Sequence, residues 1–473
     1  MNLASYAGLS AVQMADLVRS GTVSPVELVR AALAAIEATD GTLNAWSEVL
    51  AGHALAVAGE QEVEARRGAF RGPLHGVPIG VKDLFLTAGV RTRRGSQLYA
   101  NYTPTETSPA VERMVAAGAI MVGKTTTTET GWKASSTSPL TGVTRNPWDV
   151  SRTAGGSSSG SAVAVASGTV PISLGSDGGG SLRIPASFCG IFSMKGTLGR
   201  IPVYPPSASE HLSHAGPMTR TVADSALAFD ILKGPDVRDS LSLPPEGMSY
   251  LERLHQPARK LRCALAPTLF GKTVAPEIAA CIARAFSEIA AMDGVEIVDA
   301  IAQWDDPVAI FDLLWTARGA TSRGLPAADL ARMDPGLARM IERSASVGLD
   351  DHFRNLQARA KFCRTASEAF ATIDLLITPM LPISPFAAEA DGPPDMDMST
   401  PVPWARWTPF SYPFNVTGQP AAALPCGWTA EGLPVGLQVI GDRFSDLAVL
   451  QFCAQWEQHF DWQREQPAVY AGR

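Results

Sequence analysis

Two serine-rich segments and one lysine carry the residue types and spacing that suit acyl-transfer chemistry. The first segment is Gly155-Gly156-Ser157-Ser158-Ser159-Gly160-Ser161, the second is Gly178-Gly179-Gly180-Ser181, and Ser157 and Ser181 are 24 residues apart. A serine hydroxyl is a weak nucleophile and needs a neighbouring base. The seven histidines are scattered and none lies in a recognisable catalytic setting. A lysine can act as the base when burial or positive neighbours lower its pKa towards neutrality, and the strand position of Lys82 is compatible with burial.

Two other motifs suggest different chemistry. Gly118–Thr125 has the spelling of a phosphate-binding GxxxxGK[ST] loop, but its middle residues form an apolar strand pattern instead of an open loop. Gly156–Gly160 has the GxSxG spelling of a nucleophile elbow, which would make Ser158 the nucleophile. That elbow requires a strand directly before the turn, and Ser151-Arg152-Thr153 stands there. Nucleotide binding and an α/β-hydrolase mechanism are therefore disfavoured alternatives.

The elements predicted around these residues would place them at strand and helix ends. Apolar residues alternate between His75 and Phe85, which predicts a strand with Lys82 on the less crowded face, beside a proline and a glycine. Residues 154–181 are predicted as loop, helix, strand and loop, because each Gly/Ser cluster lies at the end of an apolar run. Helices and strands alternate along this part of the chain, which predicts an α/β sheet.

The rest of the chain is predicted to surround this core. The first forty residues are interpreted as two helices, the second beginning with a capping box at Ser24-Pro25-Val26-Glu27. From about Gly234 to Ile373 the pattern is mainly helical, and residues 386–403 are rich in Pro, Asp and Met, which predicts a long loop of the kind that often covers a site. Residues 419–421 and 433–437 are predicted to return to the sheet.

Composition and charge exclude several classes of protein. The 473 residues are 46% apolar and 18% charged, which is typical of a globular chain. With 39 Lys and Arg against 46 Asp and Glu, a net charge of −7 and no basic run, we expect no nucleic-acid partner. No apolar run reaches the roughly 18 residues of a membrane span. The scattered cysteines predict free thiols and, with the scattered histidines, no metal, and the N-terminal sequence predicts a cytoplasmic protein. We also expect no cofactor and a monomer or homodimer.

Taken together, Lys82, Gly155–Ser161 and Gly175–Pro185 resemble the amidase signature family. Further matching motifs extend the resemblance over most of the chain: Thr144–Trp148, Phe188–Gly190, Lys195–Thr197, Gly216–Arg220 and Phe414–Gly418. The resemblance implies one domain over residues 1–473, with a signature core at about 75–200 and a helical and loop-rich insertion at about 234–410. It also implies an α/β fold with a mixed central β-sheet wrapped by α-helices.

The resemblance further implies a Ser–cis-Ser–Lys triad. The family's lysine falls on Lys82, its bridging serine, which follows a cis peptide bond, on Ser157, and its nucleophile on Ser181. Ser158 and Asp177 stand beside them as supporting residues. The family's oxyanion hole uses backbone N–H groups, which here are those of Gly178, Gly179, Gly180 and Ser181.

Substrate preference is predicted from less specific positions. Gly131 and Trp132 fall where family members place pocket-wall residues, although a core tryptophan is the competing interpretation. Trp404 and Trp407 lie beside the predicted loop and would form another wall. Without a cluster of charged residues, this pocket predicts small neutral amides as substrates, with possible ester cleavage. Two alternatives stay open: a urethanase that cleaves carbamates of aromatic amines, and an amidotransferase subunit that works with a partner protein. Thr126–Thr130 disfavours the second, because those subunits usually carry Asn-Met-Asp-Glu-Phe there.

Overall fold

The structure is a computed structural model that describes residues 2–256, 259–299 and 304–471. Within these ranges the strands are β1 (Trp46–Val49), β2 (Pro78–Lys82), β3 (Ile120–Thr125), β4 (Thr137–Ser138), β5 (Gly142–Val143), β6 (Ile172–Asp177), β7 (Phe192–Lys195), β8 (His214–Thr219), β9 (Leu261–Leu265), β10 (Val295–Ile297), β11 (Leu375–Pro379), β12 (Ala421–Trp428) and β13 (Pro434–Gly441).

The α-helices in the same ranges are α1 (Leu3–Ala7), α2 (Ala11–Arg19), α3 (Pro25–Leu43), α4 (Ala51–Arg66), α5 (Pro109–Ala116), α6 (Ser159–Ala166), α7 (Arg183–Cys189), α8 (Val222–Leu232), α9 (Tyr250–Arg253), α10 (Pro276–Ala290), α11 (Val308–Ala317), α12 (Ala327–Leu330), α13 (Pro335–Ser344), α14 (Leu349–Ala369), α15 (Pro413–Thr417) and α16 (Asp446–His459). Short 3-10 helices lie at Gln97–Tyr99, Glu129–Gly131, Glu210–Leu212, Arg318–Ser322, Pro403–Trp407 and Trp462–Arg464. Among the described helices, none combines the length and the apolar character that a membrane span requires.

One mixed sheet of eleven strands organises the molecule. Its order is β1-β3-β2-β6-β8-β7-β12-β13-β11-β9-β10, and β4 and β5 form a separate pair. At the site, β2 lies parallel between β3 and β6, and β6 is antiparallel to β8. The predicted α/β fold with a mixed central sheet and surrounding helices is therefore confirmed.

The serine-rich segment folds as predicted, as loop, helix, strand and loop. Helix α6 begins directly after the serine pair, and β6 ends at Asp177, just before the second glycine cluster. All eight residues of α6 are buried, and its small side chains let the backbone pass close to its neighbours. A Cβ on Gly160 would lie 2.2 Å from the carbonyl oxygen of Ala45, so only glycine fits there.

One prediction of secondary structure is wrong in detail, and a second is correct but incomplete. The first forty residues form three helices, because Asn2 caps the additional short helix α1 through the N–H of Ser5. The segment 234–373, predicted as mainly helical, contains β9 and β10, and β11 follows at its end. A short apolar run fits a buried helix or a buried strand equally well. Here the pairing of β11 with β13 and β9, and of β9 with β10, makes these segments strands. Residues 386–402 form the predicted loop, with one isolated bridge between Arg152 and Ala387.

Candidate active site

Lys82 lies at the end of β2 with its side chain fully buried. Its Nζ is 2.8 Å from Ser157 Oγ, 2.9 Å from Ser158 Oγ and 3.0 Å from Ser176 Oγ. Burial lowers the pKa of Lys82 well below its ordinary value, although the carboxylate of Asp177 partly opposes this effect. The ammonium form is therefore disfavoured, and Lys82 is suited to accept a proton from a neighbouring hydroxyl.

Ser157 and Ser181 meet at one cavity of about 310 Å³. The peptide bond between Gly156 and Ser157 is cis, as the family resemblance implied. Ser181 follows β6 in the turn that leads to α7. Within the described part of the chain, the Ser181 hydroxyl has no hydrogen-bond partner, whereas Ser157 Oγ contacts Lys82. The structure thus brings both predicted serines to one open space, with the lysine behind Ser157.

Asp177 holds the turn between β6 and α7. Its Oδ1 accepts a hydrogen bond from the Gly180 N–H at 2.6 Å, and its Oδ2 accepts one from the Leu182 N–H at 3.2 Å. Arg183 Nε donates to Oδ2 at 2.9 Å, and Asn415 Nδ2 donates to Oδ1 at 2.8 Å. Burial raises the pKa of Asp177, but the Arg183 guanidinium, together with Lys195 and the Asn415 amide, keeps the pKa below its ordinary value. Asp177 is therefore an ionised anchor for this turn.

Of the four backbone N–H groups predicted to form the oxyanion hole, one already has a hydrogen-bond partner in the structure. The Gly180 N–H points at Asp177 and is not free to bind an oxyanion. Over the described residues, the N–H groups of Gly178, Gly179 and Ser181 have no hydrogen-bond acceptor. Gly180 has a φ of 129°, which favours glycine. The structure therefore leaves three of the four predicted donors available.

Gly131 and Trp132 both line the cavity. Gly131 has a φ of 70°, and a Cβ added there would lie 3.2 Å from Ser157 Oγ and 3.0 Å from Leu84 Cδ1. The Trp132 carbonyl accepts a hydrogen bond from Trp315 Nε1 at 3.0 Å. This wall therefore lies beside the bridging serine, with no room for a side chain at Gly131.

Trp404 and Trp407 lie behind the cavity and are not among the described residues that line it. The Trp404 ring is 2.7 Å from where a Cβ on Gly179 would be, so it supports the glycine turn from outside. Trp407 stacks on Phe188, with ring centroids 6.2 Å apart. The structure therefore does not bring these two tryptophans to the predicted second wall.

A family model described as Amidase matches residues 27–450. The chain belongs to the amidase signature family. An acylamidase of Rhodococcus erythropolis is 33% identical over 468 residues, which cover 97% of this chain and 97% of that protein. A glutamyl-tRNA(Gln) amidotransferase subunit of Synechococcus sp. (strain RCC307) is 33% identical over 481 residues, which cover 96% of this chain and 97% of that one. The structure of 6-aminohexanoate cyclic dimer hydrolase complexed with substrate is similar, with a TM-score of 0.89 and 28% identity over 98% of this chain and 99% of that chain.

This amidase signature hydrolase has site residues that sequence reasoning missed. Ser176 is the third hydroxyl on Lys82, and its position directly before Asp177 was the available signal. Trp315, Arg94 and Arg318 line the cavity. No motif marks these three residues, because they lie outside the short motifs that carry the family resemblance. Arg183 anchors the loop through its ion pair with Asp177.

The GKT segment of the amidase signature chain is a buried strand. All of β3 is buried, and Lys124 Nζ donates to the Phe85 carbonyl at 2.6 Å and to Thr92 Oγ1 at 3.2 Å. Burial lowers the pKa of Lys124 to about 8, opposed by Asp83, whose Oδ1 is 3.6 Å away. Since no open loop exists at this strand, the disfavoured phosphate-binding interpretation of Gly118–Thr125 is wrong.

Proposed function

We propose that this enzyme cleaves the C–N bond of small amides through an acyl-enzyme on Ser181. The observation that carries the proposal is the buried Lys82 with its Nζ 2.8 Å from Ser157 Oγ, beside a cavity that Ser181 shares. A base is required for a serine to attack a carbonyl, and a lysine with a lowered pKa meets that requirement.

The proton path runs through Ser157. Neutral Lys82 accepts the proton of Ser157, and Ser157 accepts the proton of Ser181 as Ser181 Oγ bonds to the substrate carbonyl carbon. When the C–N bond breaks, Ser157 gives its proton to the leaving nitrogen and recovers one from the Lys82 ammonium. A water molecule then attacks the acyl carbon by the same path, which releases the acid and restores Ser181.

The negative charge on the carbonyl oxygen needs donors that are fixed before the reaction. The N–H groups of Gly178, Gly179 and Ser181 are the candidates, because the Gly180 N–H is held by Asp177. Each such donor typically contributes about 3–4 kcal/mol to the transition state. Asp177 acts on this oxyanion hole indirectly, by fixing the turn.

Several acyl substrates fit this chemistry. Amides, esters and carbamates present the same carbonyl, so ester hydrolysis and the urethanase alternative follow from the same residues. The preference for neutral amides was predicted from three tryptophans, Trp132, Trp404 and Trp407. Of these, Trp132 lines the cavity. Arg94 and Arg318 also line it, so the lining contains cationic as well as aromatic side chains. The name of the Synechococcus relative supports the second alternative, an amidotransferase subunit that uses a partner protein.

Replacing the nucleophile tests the mechanism. Ser181→Ala should lower kcat for an aryl amide by at least about a thousandfold while leaving the fold intact by circular dichroism. A serine-directed irreversible probe, followed by mass spectrometry of the peptides, should label Ser181 and leave Ser158 unmodified. An active Ser181→Ala variant, or labelling of Ser158 alone, would refute the assignment.

A substrate panel separates the alternatives. A neutral aryl amide, an aryl carbamate and glutamine are offered at equal concentration, and kcat/KM is measured for each. We expect the aryl amide to be preferred over the aryl carbamate. Preference for the carbamate would support a urethanase, and preference for glutamine would support the amidotransferase alternative.

A further inference from the structure

Arg318 places an uncompensated positive charge in the wall of the cavity. It lies at the start of the 3-10 helix Arg318–Ser322, and its guanidinium covers the Trp315 ring at 4.0 Å from the centroid. Nη2 makes one long hydrogen bond, 3.4 Å to the Thr130 carbonyl, and the enclosed Nη1 has no partner among the described residues. Burial lowers the pKa of Arg318 to about 10, so it stays charged at neutral pH.

Arg94 adds a second cation to the same wall. Its guanidinium lies 4.8 Å from the ring centroid of Tyr99, and its Nε is enclosed without a hydrogen-bond partner among the described residues. Thr130 contacts both residues: its N–H donates to the backbone carbonyl of Arg94 at 2.8 Å, and its carbonyl accepts from Arg318 Nη2 at 3.4 Å. Thr130 directly precedes Gly131, which lines the cavity together with Ser157. The positive charge of Arg318 contributes to the lowered pKa of Lys82, which places Arg318 near the reacting centre, and Arg94 lines the same cavity.

The described lining of the cavity offers no carboxylate free to neutralise these arginines. Asp177 is the acidic residue there, and Arg183 already pairs with it at 2.9 Å. His214 also lines the cavity, and burial lowers its pKa well below the ordinary value, so it is neutral. An enclosed guanidinium without a partner is costly unless an anion completes it. The described lining of the cavity thus combines two cationic side chains with apolar ones such as Leu337, Met340 and Ile341.

We infer that the preferred substrates are amides that carry a carboxylate, which Arg318 binds as the bond beside Ser181 is cleaved. The inference rests on the proposed function and names its substrate class. A guanidinium presents two parallel N–H groups to a carboxylate, and stacking on Trp315 fixes its orientation. The apolar lining then receives the hydrocarbon or aryl part of the substrate. This class differs from the neutral amides predicted from the sequence.

Matched substrate pairs isolate the contribution of the carboxylate. Succinanilic acid and glutaranilic acid carry it on the acyl side, and each is paired with the methyl ketone of the same length, such as levulinic anilide. para-Acetamidobenzoate carries it on the amine side and is paired with para-acetamidoacetophenone. The ketone keeps a carbonyl acceptor and the shape but removes the charge. We expect kcat/KM of at least one carboxylate to exceed that of its ketone by roughly ten- to a hundredfold.

Arg318→Gln should reduce that ratio to about one, and Arg318→Lys should keep part of it, since it keeps the charge without the planar fork. The readout is the ratio and not the rate itself, because the positive charge of Arg318 also lowers the pKa of Lys82. Removing Arg318 therefore changes the pKa of the base equally for both members of a pair. Circular dichroism verifies that each variant is folded.

Two results would overturn the inference. One is a wild-type ratio of one or less in every pair, which needs no variant. The other is an Arg318→Gln enzyme that keeps the wild-type ratio. If Ser181→Ala is inactive on all substrates while the ratio is one, the proposed function stands and this inference alone fails.

Discussion

The lysine base is the residue on which the proposed chemistry depends most, and it predicts a specific pH dependence. Because burial holds the pKa of Lys82 well below its ordinary value, kcat/KM should fall on the acid side as Lys82 becomes protonated and should persist into mildly alkaline solution. Lys82→Met should lower kcat by at least about a hundredfold. A plot of kcat/KM against pH and circular dichroism of the variant provide the measurements.

The same pKa shift predicts a trend in stability. An unfolded lysine keeps its proton up to about pH 10.4, whereas folded Lys82 loses it earlier, so the free energy of unfolding should rise with pH between the two values. Lys82→Met should remove the part of this rise that Lys82 contributes, whereas the part from Lys124, whose pKa is also lowered, should remain. Lys124→Met is the matched control, since Lys124 is a buried lysine on the neighbouring strand that contacts Phe85 and Asp83. Equal losses of kcat in the two variants would count against Lys82 as the base.

Among the elements, the 3-10 helix Glu129–Gly131 lies beside the bridging serine, so a side chain added at Gly131 would reach Ser157. Gly131→Ala combines left-handed backbone strain of about 1–2 kcal/mol with a methyl group pressed against Ser157 Oγ, 3.2 Å from the added carbon. Displacement of the bridging hydroxyl should lower kcat by up to about a hundredfold. Steady-state kinetics and urea unfolding of the variant measure the two effects separately.

Gly89→Ala is the control for that substitution. Gly89 has a φ of 75°, close to the 70° of Gly131, and no atom lies within 4 Å of its added Cβ. Both variants should lose a similar amount of unfolding free energy, and only Gly131→Ala should lose activity. A kcat equal to wild type in Gly131→Ala would show that Ser157 tolerates the contact.

Elements with local signals were predictable from the sequence, whereas those fixed by distant partners were not. The alternating residues before Lys82 and the clusters around α6 correctly indicated strand and helix ends. Strands β9 to β11 carry no local pattern that separates them from buried helices, because their pairing within the sheet decides. Arg318 was missed for a related reason. Its contact with the Thr130 carbonyl joins residues 188 positions apart, and nothing in the sequence near either one indicates it.

At the scale of the whole molecule, Lys133 joins three separate parts of the chain around the cavity. Its Nζ is 2.6 Å from Asp334 Oδ2 and 2.5 Å from Asp391 Oδ1. Asp334 caps α13, whose inner face lines the cavity, through the Gly336 N–H at 2.8 Å. Asp391 belongs to the 386–402 loop. One buried cation thus links the pocket wall, the adjacent helix and the loop.

Lys133→Met should therefore loosen α13 and the 386–402 loop without touching the reacting atoms. Loss of the cation leaves Asp334 buried and unpaired, which should cost about 3–5 kcal/mol of unfolding free energy, and KM should rise more than kcat falls.

Arg145→Met is the matched control, because Arg145 joins the same loop through an ion pair of 2.8 Å to Glu389, whose side chain is 64% exposed. That exposed pair should be worth at most about 1 kcal/mol. Urea unfolding, KM and limited proteolysis within residues 386–402 measure the difference, and equal effects of the two variants would contradict a role for the buried pair in holding the loop.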